Sequence, residues 1–172
     1  MWHSAAYRSG QFFRGFRWAL RPDEVSRVCG LLNERERLLF SAMQGRDRRH
    51  SMDMVRWLER RGAAKGTPPS ADLLAAALLH DVGKGSLIVW DRVAFVLLGA
   101  CSIRLRRSLE RERGWRWQQA LWRLEHHAGL GAELLEGSGT RPRVVELVRR
   151  HKDPGADGDT ELSALMAADG AC

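Results

Sequence analysis

The sequence predicts an all-α fold, and three observations lead there. Apolar residues recur mostly at three- and four-residue spacing along the 172-residue chain. No Val/Ile/Thr alternation bounded by hairpin signals appears anywhere. Gly- and Pro-containing punctuation such as "GAAKGTPPS", "EGSGT" and "DPGADGD" falls between the periodic segments. A chain of this length folds as a single-domain helical bundle with its own core.

Taken in order, Gln11 to Arg21, "QFFRGFRWALR", sets Phe12, Phe16 and Leu20 on one helical face and Arg14, Arg17 and Arg21 on another. Such a helix docks its aromatic face on its own domain in preference to an anionic membrane surface. Helices are predicted over Pro22 to Leu32 and Asn33 to Met43, where Asn33 caps and Glu34 and Glu36 favour the first turn. The next spans Arg46 to Arg61. Gly62 to Ser70 reads as a loop, and Ser70 caps a helix over Ala71 to Val82 that Gly83 ends. Further helices are predicted over Leu87 to Ala100, Ile103 to Arg113, Trp115 to His126, His127 to Leu135, Pro142 to His151 and Thr160 to Asp169. Residues 1–32 form a basic and aromatic helical extension, and 33–172 the main domain.

Composition narrows the function classes. Cys29, Cys101 and Cys172 are scattered and never form CxxC, so they describe neither a disulfide framework nor a zinc knuckle. The best candidate for a membrane span, Ser86 to Ile103, carries Asp91 and Arg92 and falls short of the ~20 uninterrupted apolar residues required. The N-terminus lacks the apolar core of a signal peptide, so a cytoplasmic protein is expected. The net charge of +7 comes almost wholly from arginine, since Lys65, Lys84 and Lys152 are the only lysines among 28 basic residues. Arg, Ala and Gly are abundant together, as a GC-rich coding sequence produces, so basicity gives little support to a nucleic-acid partner. The seven tryptophans sit at helical spacing among leucines and read as core or rim packing.

The chemistry lies where ionisable groups interrupt the apolar stripes. His50 shares a face with Met43, Met54 and Trp57; His80 follows Leu73 and Ala76/Ala77; His151 follows Val144 and Leu147/Val148; Asp169 follows Leu162 and Leu165/Met166. Four helices each place such a group where a hydrophobe is called for. Burying a carboxylate is costly unless something positive compensates it. His80 and Asp81, about 100° apart on a helix, can lean toward one point between helices, and a cation there satisfies the set. Imidazole and carboxylate ligands without cysteine suit a divalent transition metal, Mn, Fe, Co, Ni or Zn, as one or two ions.

His50, then His80-Asp81 in "LLHDVGKG", then Asp169, together resemble the HD-domain superfamily of metal-dependent phosphohydrolases in its HDxGK form. The resemblance covers roughly Arg46 to Asp169. "HAGLGAELL" from His127 and "VRRHKD" around His151 are similar to segments of the HD-GYP subgroup, with His126 as the competing choice for the first of these. The Gly-Tyr-Pro motif itself is absent, Tyr7 being the only tyrosine, which argues against a cyclic dinucleotide substrate.

The resemblance implies an HD-like bundle in which His50, His80, Asp81 and Asp169 hold one metal and Asp81 bridges to a second held by His127 and His151. It implies hydrolysis of a phosphate ester, of a nucleotide or another small phosphorylated molecule, by a metal-activated water. Asp81 and Lys84 are then the residues nearest the chemistry, Lys84 as a contact to substrate phosphate. Arg46, Arg49, Arg149 and Arg150 are candidate further phosphate contacts. The alternative is a catalytically inactive HD-like module that binds metal, senses a ligand or engages a partner.

Overall fold

The computed structural model describes residues 19–153 and 158–172, and among these every regular element is helical. They are α1 (Pro22–Leu31), α2 (Glu34–Ala42), α3 (Gly45–Lys65), α4 (Ala71–Leu79), a 3-10 turn over Val82–Lys84, α5 (Val89–Cys101), α6 (Ile103–Leu109), α7 (Arg116–Gly137), α8 (Pro142–Arg150) and α9 (Thr160–Ala171). The all-α expectation holds. All but the last three residues of the helix expected over Gln11 to Arg21 lie outside the described residues.

α4 is the axis of the bundle because it is apolar on every side. Leu73 to Leu79 are all buried, and α1, α2, α3, α8 and α9 pack around them. Burial of each leucine there is worth about 1.5–3 kcal/mol. Ser70 caps the helix by accepting from the Leu73 backbone N–H at 3.1 Å. Asn33 and Glu36 form a reciprocal capping box at the start of α2, at 2.9 and 2.8 Å. Val28 and Leu32 enter the same core from α1 and the residue after it.

α9 is registered on α8 through charge. Asp159 accepts from the backbone N–H groups of Glu161 and Leu162, while Arg143 of α8 donates to Asp159 at 2.7 Å and to Glu161 at 2.9 Å. The guanidinium holds the Asp159 carboxyl down to about 2.

α5 and α6 form an arm against α7. Its small core is Leu87, Ala120 and Leu124, with Phe95 packed against them. Buried Arg106 lies over the Phe95 ring at 4.0 Å and pairs with Glu110 at 2.9 Å and Glu125 at 2.8 Å, tying α5, α6 and α7 together. Among the described residues no single helix is long and apolar enough to cross a membrane.

Several sequence expectations need correction. α3 runs on to Lys65, through the stretch read as loop, because Gly62 serves a close approach and not a break. A Cβ there would meet Pro69 Cδ at 2.7 Å and the Thr67 carbonyl at 2.8 Å. The two helices expected around His126 and His127 are the single helix α7. α6 stops at Leu109, where Glu110 turns to an extended backbone. α4 ends at Leu79, and His80 and Asp81 occupy the turn that follows it. Trp90, Trp115 and Trp117 are exposed, so three of the tryptophans are neither core nor buried rim.

Candidate metal centre

The turn after α4 is held at its depth by a contact between glycines. Gly83 lies against α7 so closely that a Cβ would fall 2.1 Å from the His127 carbonyl oxygen and 2.5 Å from the Gly131 nitrogen. Only a residue without a side chain lets the 3-10 turn approach the helix in this way. The approach brings His80 and Asp81 beside His127. α3, α8 and α9 supply His50, His151 and Asp169 from the other sides.

All six predicted metal ligands converge. His50, His80 and Asp169 offer one ligand atom each within 4.8 Å of one another, and so do Asp81, His127 and His151. The histidine rings form a chain, His50 to His80 to His151 to His127, with centroids 5.3, 5.3 and 5.2 Å apart. His126 is not part of it; its ring lies on Trp122 at 4.9 Å, so of the two adjacent histidines it is His127 that sits in the cluster.

Tautomers follow from the backbone. The Nδ1 atoms of His80, His127 and His151 lie 3.0, 2.7 and 2.6 Å from the carbonyls of Ala77, Leu124 and Val148. A carbonyl can only accept, so each Nδ1 carries a proton and donates it. In the neutral ring Nε2 is then a lone pair directed into the cluster. Burial pushes His127 down to about 3 and His151 down to about 4, so both are neutral near pH 7. Their Nε2 atoms nevertheless face each other at 3.3 Å. Two lone pairs at that separation repel, and a cation beside them would relieve the repulsion.

The other half of the cluster makes the same demand. Buried His80 Nε2 and Asp81 Oδ1 are 3.2 Å apart, yet neither has a hydrogen-bond partner among the described residues. Burial disfavours charge on both, but their mutual attraction outweighs it: the pKa of His80 is raised and that of Asp81 is held well below the carboxylate range. Burial likewise opposes ionisation of Asp169, and the His50 hydrogen bond at 3.0 Å, His80 and Lys152 overcome it, lowering its pKa. This field favours positive charge at the position the six groups surround. The donor set, imidazole with carboxylate and orphaned acceptor atoms, fits a divalent transition metal.

The cluster has an inner and an outer end. His127 and His151 are buried away from solvent, whereas His50, Asp169 and the edge of buried Asp81 line a cleft of about 510 Å³. Lys84 lines the cleft with its ammonium 2.5 Å from Asp81 Oδ2. Arg46 and Arg49 line it as well, but Arg149 and Arg150 do not: they pair with Glu136 and with Glu146 and Asp153 on the far side of α8. Sequence reasoning did not single out Arg56, Arg60 and Arg92, which also line the cleft. Arg46, Arg49, Arg56 and Arg60 recur at spacings of three, seven and four residues, one face of the helix that carries His50, and this was the available signal.

The arginine wall is set by a buried carboxylate. Glu24 of α1, 2 % exposed, accepts two hydrogen bonds from Arg49, both 2.7 Å, and pairs with Arg56. The Arg49 hydrogen bond holds its carboxyl down to about 2 against the opposing effect of burial. Arg92 of α5 is fixed in the same manner, donating to both oxygens of Asp47 at 2.9 and 2.7 Å.

No curated protein and no solved structure matches the chain. A family model does: that of the HD domain aligns with residues 48–170, which include all six converging groups. The chain belongs to the HD domain family.

Proposed function

We propose that this protein is a metal-dependent phosphohydrolase that cleaves a phosphate ester of a nucleotide or another small phosphorylated molecule. One observation carries the reading. Three buried histidines, each with Nδ1 tied to a carbonyl, and three acidic or imidazole partners direct acceptor atoms at one region that opens on an arginine-lined cleft.

His50, His80 and Asp169 would hold one ion and Asp81, His127 and His151 a second, with Asp81 adjacent to both groups. When bound, such ions supply Lewis acidity and a water of lowered pKa. The chain's own part is orientation. The carbonyl bonds fix the histidine rings, and the Glu24–Arg49–Arg56 and Asp47–Arg92 pairs hold planar cations on the cleft wall, where they can bind phosphate oxygens. Lys84 is placed to shift its ammonium from Asp81 to a substrate oxygen.

A second reading, an inactive HD-like module, draws on the lysines. Lys84 lies on Asp81 Oδ2 and Lys152 on Asp169 Oδ2 at 3.3 Å, so the chain itself brings positive charge to two of the carboxylates. Metal analysis of the purified protein, followed by a screen of nucleotides and generic phosphoesters with added Mn²⁺ or Fe²⁺, separates the two. Turnover that disappears in His80→Ala and Asp81→Asn supports the hydrolase. Metal-free protein without turnover across the screen supports the module.

A further inference from the structure

We infer that the outward face of the α5–α6 arm docks on an anionic lipid bilayer. The first observation is the composition of α5. Its inner side carries Asp91, Arg92, Phe95 and Leu98, while Val89, Trp90, Val93, Val96, Leu97 and Ala100 form a stripe at three- to four-residue spacing that is exposed or half-exposed. The outward stripe of a surface helix is ordinarily polar; this one holds no polar residue. Ile103 and Leu105 extend the exposed apolar surface onto α6.

The second observation is tryptophan. Arg116 contacts Asp91 at 3.3 Å, so the start of α7 stands beside the first turn of α5. Trp115 and Trp117 of that segment and Trp90 are 78 %, 44 % and 74 % exposed. Large aromatic rings with one polar edge suit the boundary between headgroups and acyl chains.

The third observation, charge, selects the occupant. Arg104, Arg107, Arg111, Arg113 and Arg116 are all exposed on α6 and the segment leading into α7, against Glu112 as the one exposed acid between residues 103 and 117, although Arg107 and Arg116 also pair with Glu125 and Asp91. A second copy of the chain apposed across α5 would bring one arginine rim toward another, and like charges oppose that contact. An anionic leaflet complements both the rim and the apolar stripe. The docked helix presents Arg92 to the cleft from its other side, so the bilayer would set the direction in which the cleft opens.

Full-length protein is mixed with vesicles of phosphatidylcholine alone and of phosphatidylcholine with phosphatidylglycerol. Cosedimentation with the anionic vesicles is expected at least tenfold above the neutral ones, weakening as salt shortens the Debye length, together with a blue shift of tryptophan emission. The double variant Val96→Gln/Leu97→Gln loses this binding at least tenfold while its melting temperature and metal content stay unchanged. If that variant fails to fold, Trp90→Ser reads the same surface. Arg104→Gln weakens binding by about fivefold. Vesicle binding that survives the apolar substitutions overturns the proposal, because another segment is then responsible. So does absence of vesicle binding, whether the protein is monomeric or forms a dimer that Leu97→Gln dissociates.

Discussion

Two regions of this molecule break the inside-apolar, outside-polar rule in opposite directions. Around α4, His80, Asp81, His127 and His151 are buried among leucines and alanines. Along α5, valines, leucines and a tryptophan stand in solvent. In the first region the unmet demand is for positive charge, and the backbone has already fixed ring tautomers to meet it. In the second, the demand is for a low-dielectric neighbour. The inner region is also tight, with the chain at minimal separation from itself, whereas the outer face of α5 is exposed. Substitutions should therefore be expensive in one region and nearly free in the other.

The largest effect is expected at Gly83→Ala. Its Cβ would collide with the backbone of α7, which no rotamer change can relieve. A loss of about 3 kcal/mol, the upper end of what overpacking usually costs, is expected, a fall of about 6–12 °C in melting temperature for a chain of this size. A melt unchanged within a degree would show that the turn and α7 are not closely apposed.

Asp81→Asn comes next. It keeps the volume and removes the charge adjacent to both ligand groups, so metal content and phosphoesterase turnover should each fall at least about 100-fold, beyond what loss of a supporting group costs. Elemental analysis beside a phosphoesterase assay checks both. Retained metal with lost turnover would place Asp81 in the chemistry alone.

The polar wall gives the third prediction. Glu24→Gln removes the buried carboxylate that Arg49 and Arg56 share, leaving them only the half-exposed Asp53, and should cost about 2 kcal/mol, read by denaturant unfolding. The pH dependence carries a definite sign. Glu24 has a folded pKa of about 2 against an ordinary value of 4.5, and Asp159 about 2 against 3.8. Both are depressed, so each contributes its full stability above the ordinary value and loses it as pH falls toward 2. Stability should fall between about pH 5 and pH 2, and Glu24→Gln should flatten part of that slope.

The contrast between the two regions also explains what the sequence makes legible. His50, His80, His151 and Asp169 each fall in phase with an apolar stripe, so periodicity marks each as inward-facing, while their convergence on one point is a matter of packing. His127 over His126 needed the resemblance to a known family; the structure shows the reason, since only one of two adjacent helical residues faces inward. The turn at His80-Asp81 was hidden because an alanine- and leucine-rich run gives no sign of where its last helical hydrogen bond falls. Arg149 and Arg150 could not be separated from Arg46 and Arg49 as candidates, and Arg56, Arg60 and Arg92 were missed, for a single reason: which side of a helix meets a cleft depends on neighbours in space. The exposed stripe of α5 was invisible on the same account. A run such as "VAFVLLGA" reads as core wherever it occurs, and only packing reveals that Val96 and Leu97 within it are exposed.

The smallest effects belong to the outer helix, and their smallness is the informative part. Gly99→Ala, in the interior of α5, places a Cβ 3.5 Å from Arg106 Nε, an ordinary contact. It should raise stability by about 0.5–1 kcal/mol through helix propensity, the reverse of Gly83→Ala. Leu97→Gln should change stability by less than about 0.5 kcal/mol. Leucine and glutamine have nearly equal helix propensity, and Leu97 is 58 % exposed, so little apolar contact is lost. Melting curves at two protein concentrations distinguish the cases. A shift near zero at both identifies Leu97 as solvated in the free protein and available to a bilayer. A destabilisation of several degrees that grows with protein concentration would mean that another copy covers the stripe in solution, and the contrast between the regions would then hold for the isolated chain but not for its assembly.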